Sequence, residues 1–70
     1  MKRHRVESSA ISSVGYDADT AVLEIEFLGG GTYRYYAVPP SAFQALMDAQ
    51  SKGRTFIALI RDRYPTERID

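Results

Sequence analysis

An α+β domain is the fold class this 70-residue chain predicts: a three-stranded antiparallel β-meander, then two α-helices packed on one face (βββαα). Three observations predict it. Leu23-Glu24-Ile25-Glu26-Phe27 alternates strictly between apolar and acidic residues, the period of a strand with one buried face. Gly29-Gly30-Gly31 and then Tyr33-Arg34-Tyr35-Tyr36 follow, a tight turn and a second alternating run. Beyond Pro39-Pro40 the apolar spacing changes to three and four, which is helical.

Each element can be justified in order. Residues 1–8 have no period and are expected as a mobile tail, leaving 9–68 as a single domain. Ile11 to Tyr16 is the first strand, with Val14 and Tyr16 on one face. Asp17-Ala18-Asp19-Thr20 is a turn, because Asp side chains bond nearby backbone N–H groups. The second strand places Leu23, Ile25 and Phe27 on the core face and Glu24 and Glu26 toward water. Val38 closes the third strand and Pro39-Pro40 stops it, since proline donates nothing to a ladder. Ser41 to Gln50 forms the first helix, with Phe43, Leu46 and Met47 inward. Ser51 caps the second helix, which runs from about Arg54 to Arg63, with Phe56, Ile57 and Ile60 inward. Tyr64-Pro65 ends it.

Parity specifies the hairpin register. A three-glycine loop pairs Leu28 with Thr32, Phe27 with Tyr33, Ile25 with Tyr35 and Leu23 with Ala37. Glu26 then meets Arg34, and Glu24 meets Tyr36. Tyr33 and Tyr35 therefore belong to the core face, while Arg34 and Tyr36 face outward. The expected core is Leu23, Ile25, Phe27, Tyr33, Tyr35, Phe43, Leu46, Phe56, Ile57 and Ile60.

Composition bounds the function. A hydrophobic fraction of 44% with 26% charged residues is that of a soluble globular domain. The absence of cysteine excludes disulfides and thiolate metal sites, so packing must supply the stability. No apolar run approaches the roughly 20 residues of a membrane span. Lys2-Arg3-His4-Arg5 is followed by Glu7-Ser8-Ser9 where a signal peptide needs an apolar stretch, so a cytoplasmic protein is expected. The net charge of zero conceals a segregation. Asp17, Asp19, Glu24 and Glu26 are clustered, whereas Lys52, Arg54, Arg61, Arg63 and Arg68 gather toward the carboxyl end.

No catalytic constellation emerges, and no cofactor or metal ligand set is expected. The one histidine, His4, lies in the expected tail. Glu24 and Glu26 resemble a carboxylate pair but accompany no nucleophile and have cross-strand partners. The glycine run lacks the Lys-Ser/Thr of a phosphate loop and precedes a strand. What remains is binding chemistry. Ser51-Lys52-Gly53-Arg54 could hold an anion at a helix start, with Arg61 seven residues beyond Arg54 extending the positive surface. Tyr36, beside Arg34, is the aromatic placed to stack on a base.

The order Ile11, Gly15-Tyr16-Asp17, Leu23-x-Ile25-x-Phe27, Gly31-x-Tyr33-x-Tyr35, Val38-Pro39, Ala49-x-Ser51-x-Gly53, Phe56, Ile60-Arg61 and Tyr64-Pro65 resembles the KTSC domain. That family occurs at the carboxyl terminus of some lysyl-tRNA synthetases and as small stand-alone bacterial proteins. The resemblance covers roughly residues 8 to 68. It implies no established activity and nothing of a synthetase active site; RNA binding is what the synthetase context implies. The leading expectation is thus a non-enzymatic accessory module that contacts RNA or tRNA phosphates through Lys52, Arg54 and Arg61, with Arg34, Tyr36 and the Lys2-Arg3-Arg5 tail assisting. The alternative is a protein-interaction or self-associating module, a monomer or weak dimer, using the outer sheet face and free strand edges.

Overall fold

The strictly alternating segment becomes the central strand of the sheet. The computed structural model describes residues 1–70 and orders its elements as β1 (Arg3–Arg5), β2 (Ile11–Asp17), β3 (Val22–Phe27), β4 (Thr32–Tyr35), α1 (Pro40–Asp48), α2 (Lys52–Leu59) and β5 (Thr66–Arg68). All strand pairs are antiparallel and the spatial order is β1-β2-β3-β4-β5.

The α+β class with two helices is as expected, but the sheet has five strands instead of three. The three expected strands are β2, β3 and β4. The additions are the two edges. Residues 1–8, expected as a tail, contribute β1, whose Arg3, His4 and Arg5 pair with Gly15, Val14 and Ser13. After α2 the chain returns beside β4 as β5. Both edge strands are three residues long, bury no residue and hold no large apolar side chain, so no apolar period marks them in the sequence. They form because β2 and β4 would otherwise leave a row of backbone groups unpaired.

The β3–β4 register differs by two residues from the expected one. Leu23 pairs with Tyr35, Glu24 with Arg34, Ile25 with Tyr33 and Glu26 with Thr32. The turn begins one residue earlier than supposed: the Phe27 N–H donates to the Gly31 carbonyl, and the loop is Leu28, Gly29 and Gly30. Gly30 and Gly31 carry the positive φ values, 115° and 90°, which explains the glycines. A shift of two conserves parity, so Tyr33 and Tyr35 keep the face of Leu23 and Ile25.

A bulge at Ser12 changes the phase of β2, with Ile11 opposite Phe27 but Ser13 opposite Glu26. Ile11 and Val14, three residues apart, are both fully buried as a result. The Asp17 turn forms as expected, with the Asp19 N–H donating to Asp17 Oδ1 at 3.0 Å.

Ile11, Val14, Leu23, Ile25, Tyr35, Val38, Leu46, Phe56 and Ile60 form the core. Phe27, Tyr33 and Phe43, expected there, are half-buried and pack against it. Phe56 of α2 meets Phe27 and Tyr35 edge-on at 5.2 and 5.5 Å, and Phe43 of α1 stacks on Tyr16 at 4.5 Å. Ile57, also expected inside, is 57% exposed. It lies about 100° around the helix from the buried Phe56, on the side turned to water.

Both helices are shorter than predicted. Pro39 and Pro40 occupy the N-cap and first turn of α1, and α2 stops at Leu59 instead of Arg63. The Ile60 and Arg61 N–H groups both donate to the Phe56 carbonyl, and Asp62 turns left-handed at φ 62°. That turn drives Ile60 into the core and sends the chain back toward β4.

Candidate nucleic-acid interface

The basic and aromatic residues singled out by the sequence fall on two opposite sides of the sheet. Arg34 and Tyr36 belong to the open face, and Lys52, Arg54 and Arg61 to the helical layer and the turn after it. The five do not converge on one surface.

On the open face a polar row crosses the whole sheet. Register places Arg3, Gly15, Glu24, Arg34 and Glu67 side by side on β1 to β5. Arg34 Nε donates to Glu24 Oε2 at 2.9 Å, and Arg3 Nε lies 3.5 Å from Glu24 Oε1. Glu24 is only 7% exposed, although no helix covers it, because the two arginine side chains lie against it. Its hydrogen bond to Glu24 raises the Arg34 pKa above the ordinary arginine value. The next row is equally closed: Ser13 Oγ donates to Glu26 Oε1 at 2.9 Å, with Thr32 buried alongside.

Tyr36 is half-buried, and its hydroxyl donates to Glu67 Oε1 at 2.6 Å. That bond holds the phenolic proton and raises its pKa. Arg34 and Tyr36 therefore already have anionic partners within the chain, and a phosphate would have to compete with Glu24 and Glu67 for them.

On the helical side, Lys52 Nζ donates to the carbonyls of Met47 and Ala49, each at 3.0 Å. The ammonium closes the last turn of α1, where orphan carbonyls and the dipole favour a cation. Ser51 holds the N-cap position of α2 without a hydroxyl bond to the helix. The glycine at 53 has a packing cause: a Cβ there would lie 3.2 Å from Ala10 Cβ. Arg54 is exposed and makes no side-chain hydrogen bond or ion pair, and Arg61 is held only loosely, 3.8 Å from its neighbour Asp62. Arg63 Nε, by contrast, caps α2 at the Ala58 carbonyl. Arg54 is the free cation of this layer, and Arg61 is the loosely held one.

Tyr33 and Tyr35 lie on the same sheet face as Leu23 and Ile25, the face that packs toward the helices. Tyr35 is 5% exposed, and burial pushes its phenol up to about 12. Tyr33 packs edge-on to Phe27 at 5.7 Å, with the Arg68 guanidinium 5.8 Å above its ring. Tyr16 donates to the Val38 carbonyl at 2.6 Å, and burial, with Asp17 nearby, raises its pKa. Sequence reasoning missed Arg3, Glu67 and Arg68 as partners of these groups. Charge balance was the available signal, since Arg34 alone cannot neutralise two acids on the outer face. The surface has no enclosed cleft, no three His, Asp or Glu side chains converge, and no helix is long and apolar enough to cross a membrane.

Residues 7–64 match the family model described as the KTSC domain. An uncharacterized protein of Stutzerimonas stutzeri is 46% identical over 71 residues, covering 100% of both chains. A lysine–tRNA ligase of Nostoc punctiforme is 38% identical over 63 residues, which are 90% of this chain but 11% of that enzyme. The crystal structure of a KTSC domain protein from Yersinia pestis superposes with a TM-score of 0.96 at 45% identity, covering 99% of this chain and 97% of that one. With a matched sequence spanning most of its length and a solved relative of the same shape, this chain belongs to the KTSC domain family.

Proposed function

We propose that this KTSC domain is a binding module that contacts RNA phosphates from its helical side, through Arg54 and Arg61. The observation that carries the reading is the domain's recurrence inside lysine–tRNA ligases, enzymes named for a tRNA substrate. The geometry supports the same side: Arg54 and Arg61 are exposed and lack strong partners, whereas Lys52, Arg34 and Tyr36 are engaged. The proposed working compartment is the cytoplasm, where tRNA is found.

Fluorescence titration of tRNA and of single-stranded RNA over a salt series tests this. Two phosphate contacts predict that log K falls against log salt with a slope of about 1.4 to 1.8. Arg54→Ala and Arg61→Ala should each lower that slope by about 0.7 to 0.9 across sequences. Glu24→Ala should leave binding unchanged. No binding at low salt removes the proposal.

Protein interaction is the second reading, favoured by the 58% and 57% exposure of Leu28 and Ile57. Light scattering over a concentration series tests the self-associating form: a rising mass supports it, and a constant monomer mass rejects it.

A further inference from the structure

Gly15 has no conformational reason to be glycine, since its φ is not positive. Its reason is the neighbouring strand. A Cβ at Gly15 would lie 2.8 Å from Arg3 Cγ, 3.0 Å from the Lys2 carbonyl oxygen and 3.2 Å from Met1 Cγ. The bare backbone is a trough across which the Arg3 stem passes to reach Glu24. At its end stands a carboxylate on a residue that is 7% exposed, with one oxygen held by Arg34 and the other 3.5 Å from Arg3. The β2 edge thus combines backbone pairing for an extended segment, a trough at Gly15 and a buried acid that selects a cation. The occupant, by contrast, is three exposed residues joined to β2 by the segment 6–10, whose Val6 packs against the core.

We propose that the edge of β2 is an acceptor site for an arginine-bearing extended strand, and that the amino-terminal segment of a second copy of this chain can occupy it in trans. The chain carries both halves of the recognition, Arg3 and the Gly15–Glu24 trough, so the segment that fits in cis fits equally in a neighbour. Backbone ladder bonds supply affinity and the Arg3–Glu24 pair supplies selectivity, as in strand addition to a sheet edge. In a single copy the tether favours the internal occupant, and weakening that occupant opens the site. The inference stands independently of RNA binding.

Complementary full-length variants test it. Arg3→Ala leaves the acceptor intact but spoils the chain's own strand; Glu24→Gln leaves the donor strand intact but spoils the acceptor. Isotope-labelled Arg3→Ala chain is mixed with unlabelled Glu24→Gln chain at about 1 mM, the effective concentration a short tether provides. The expected result is concentration-dependent amide shifts confined to Ser13, Val14, Gly15 and Glu24 of the labelled chain. The shifts should be several-fold smaller when the labelled chain is wild type, and absent when the unlabelled chain carries both Arg3→Ala and Glu24→Gln. No shift in the first mixture, or equal shifts with the double variant, overturns the proposal. Unchanged circular dichroism of each variant alone separates loss of the site from loss of the fold.

Discussion

The two faces of the sheet are closed by different physics. On the covered face, Leu23, Ile25 and Tyr35 lie beneath α1 and α2 and are sealed by apolar and aromatic contacts. On the other face no element sits above Ser13, Glu24 and Thr32, yet they are 6%, 7% and 4% exposed. Neighbouring side chains do the covering there, with Arg3 and Arg34 over Glu24 and Ser13 bonded to Glu26. The covered face gains from removing apolar area from water. The open face keeps its buried polar atoms satisfied, and none is left without a partner. An uncovered sheet face is therefore not automatically a platform for ligands. Its stacking candidate, Tyr36, and its cation, Arg34, are already bonded within the chain.

That contrast can be broken experimentally, beginning where the effect is largest. Leu46→Ala removes a fully buried side chain of the covered face. It should cost about 2–5 kcal/mol in chemical denaturation, and a loss below about 1 kcal/mol would show that the helical layer is not sealing the core.

A pH titration of stability, read through Tyr35, probes the covered face next. The folded Tyr35 phenol is raised to about 12, above its ordinary 10.0. A raised folded pKa means that the unfolded chain loses the proton first. The stabilisation is complete below pH 10 and is lost as pH rises toward 12. The two-unit shift amounts to about 2–3 kcal/mol. Tyr35→Phe should flatten much of that alkaline fall, and an unchanged profile would mean the phenol is solvated.

Glu24→Ala probes the open face, leaving Arg3 and Arg34 without their acid. The expected loss is about 1–2 kcal/mol, with faster amide exchange along β1. Equal stability would show that the row of charges is ornamental to folding. The smallest effect belongs to Ile57→Ser on the exposed side of α2. Its change in unfolding free energy should stay within about 0.5 kcal/mol, and a larger loss would return Ile57 to the core.

How much of this was legible follows from the range of each signal. The alternation of Leu23 to Phe27 identified the central strand and its faces, because side-chain period is a local property of an extended backbone. The same parity placed Tyr33 and Tyr35 on the face of Leu23 and Ile25, and survived a register shifted by two residues, although only Tyr35 is fully covered there. The shift itself was not legible, since the position of a turn within Leu28-Gly29-Gly30-Gly31 depends on which glycine takes the positive φ. Of the candidate site, residue types were legible and availability was not. Nothing near Lys52 in the sequence shows that its ammonium closes α1, and nothing near Tyr36 points to Glu67, 31 residues away.

By itself, then, the sequence determined the α+β class, the three inner strands, the two helices and the face on which each β3 and β4 side chain lies, because those follow from patterns within a few residues. Tertiary structure alone decided the edge strands β1 and β5, the bulge at Ser12, the exposure of Ile57 and the pairing of Arg3 and Arg34 with Glu24. Those depend on which distant segments meet. A three-residue strand has too little side-chain pattern to declare itself and exists only because a neighbouring edge offers it hydrogen bonds.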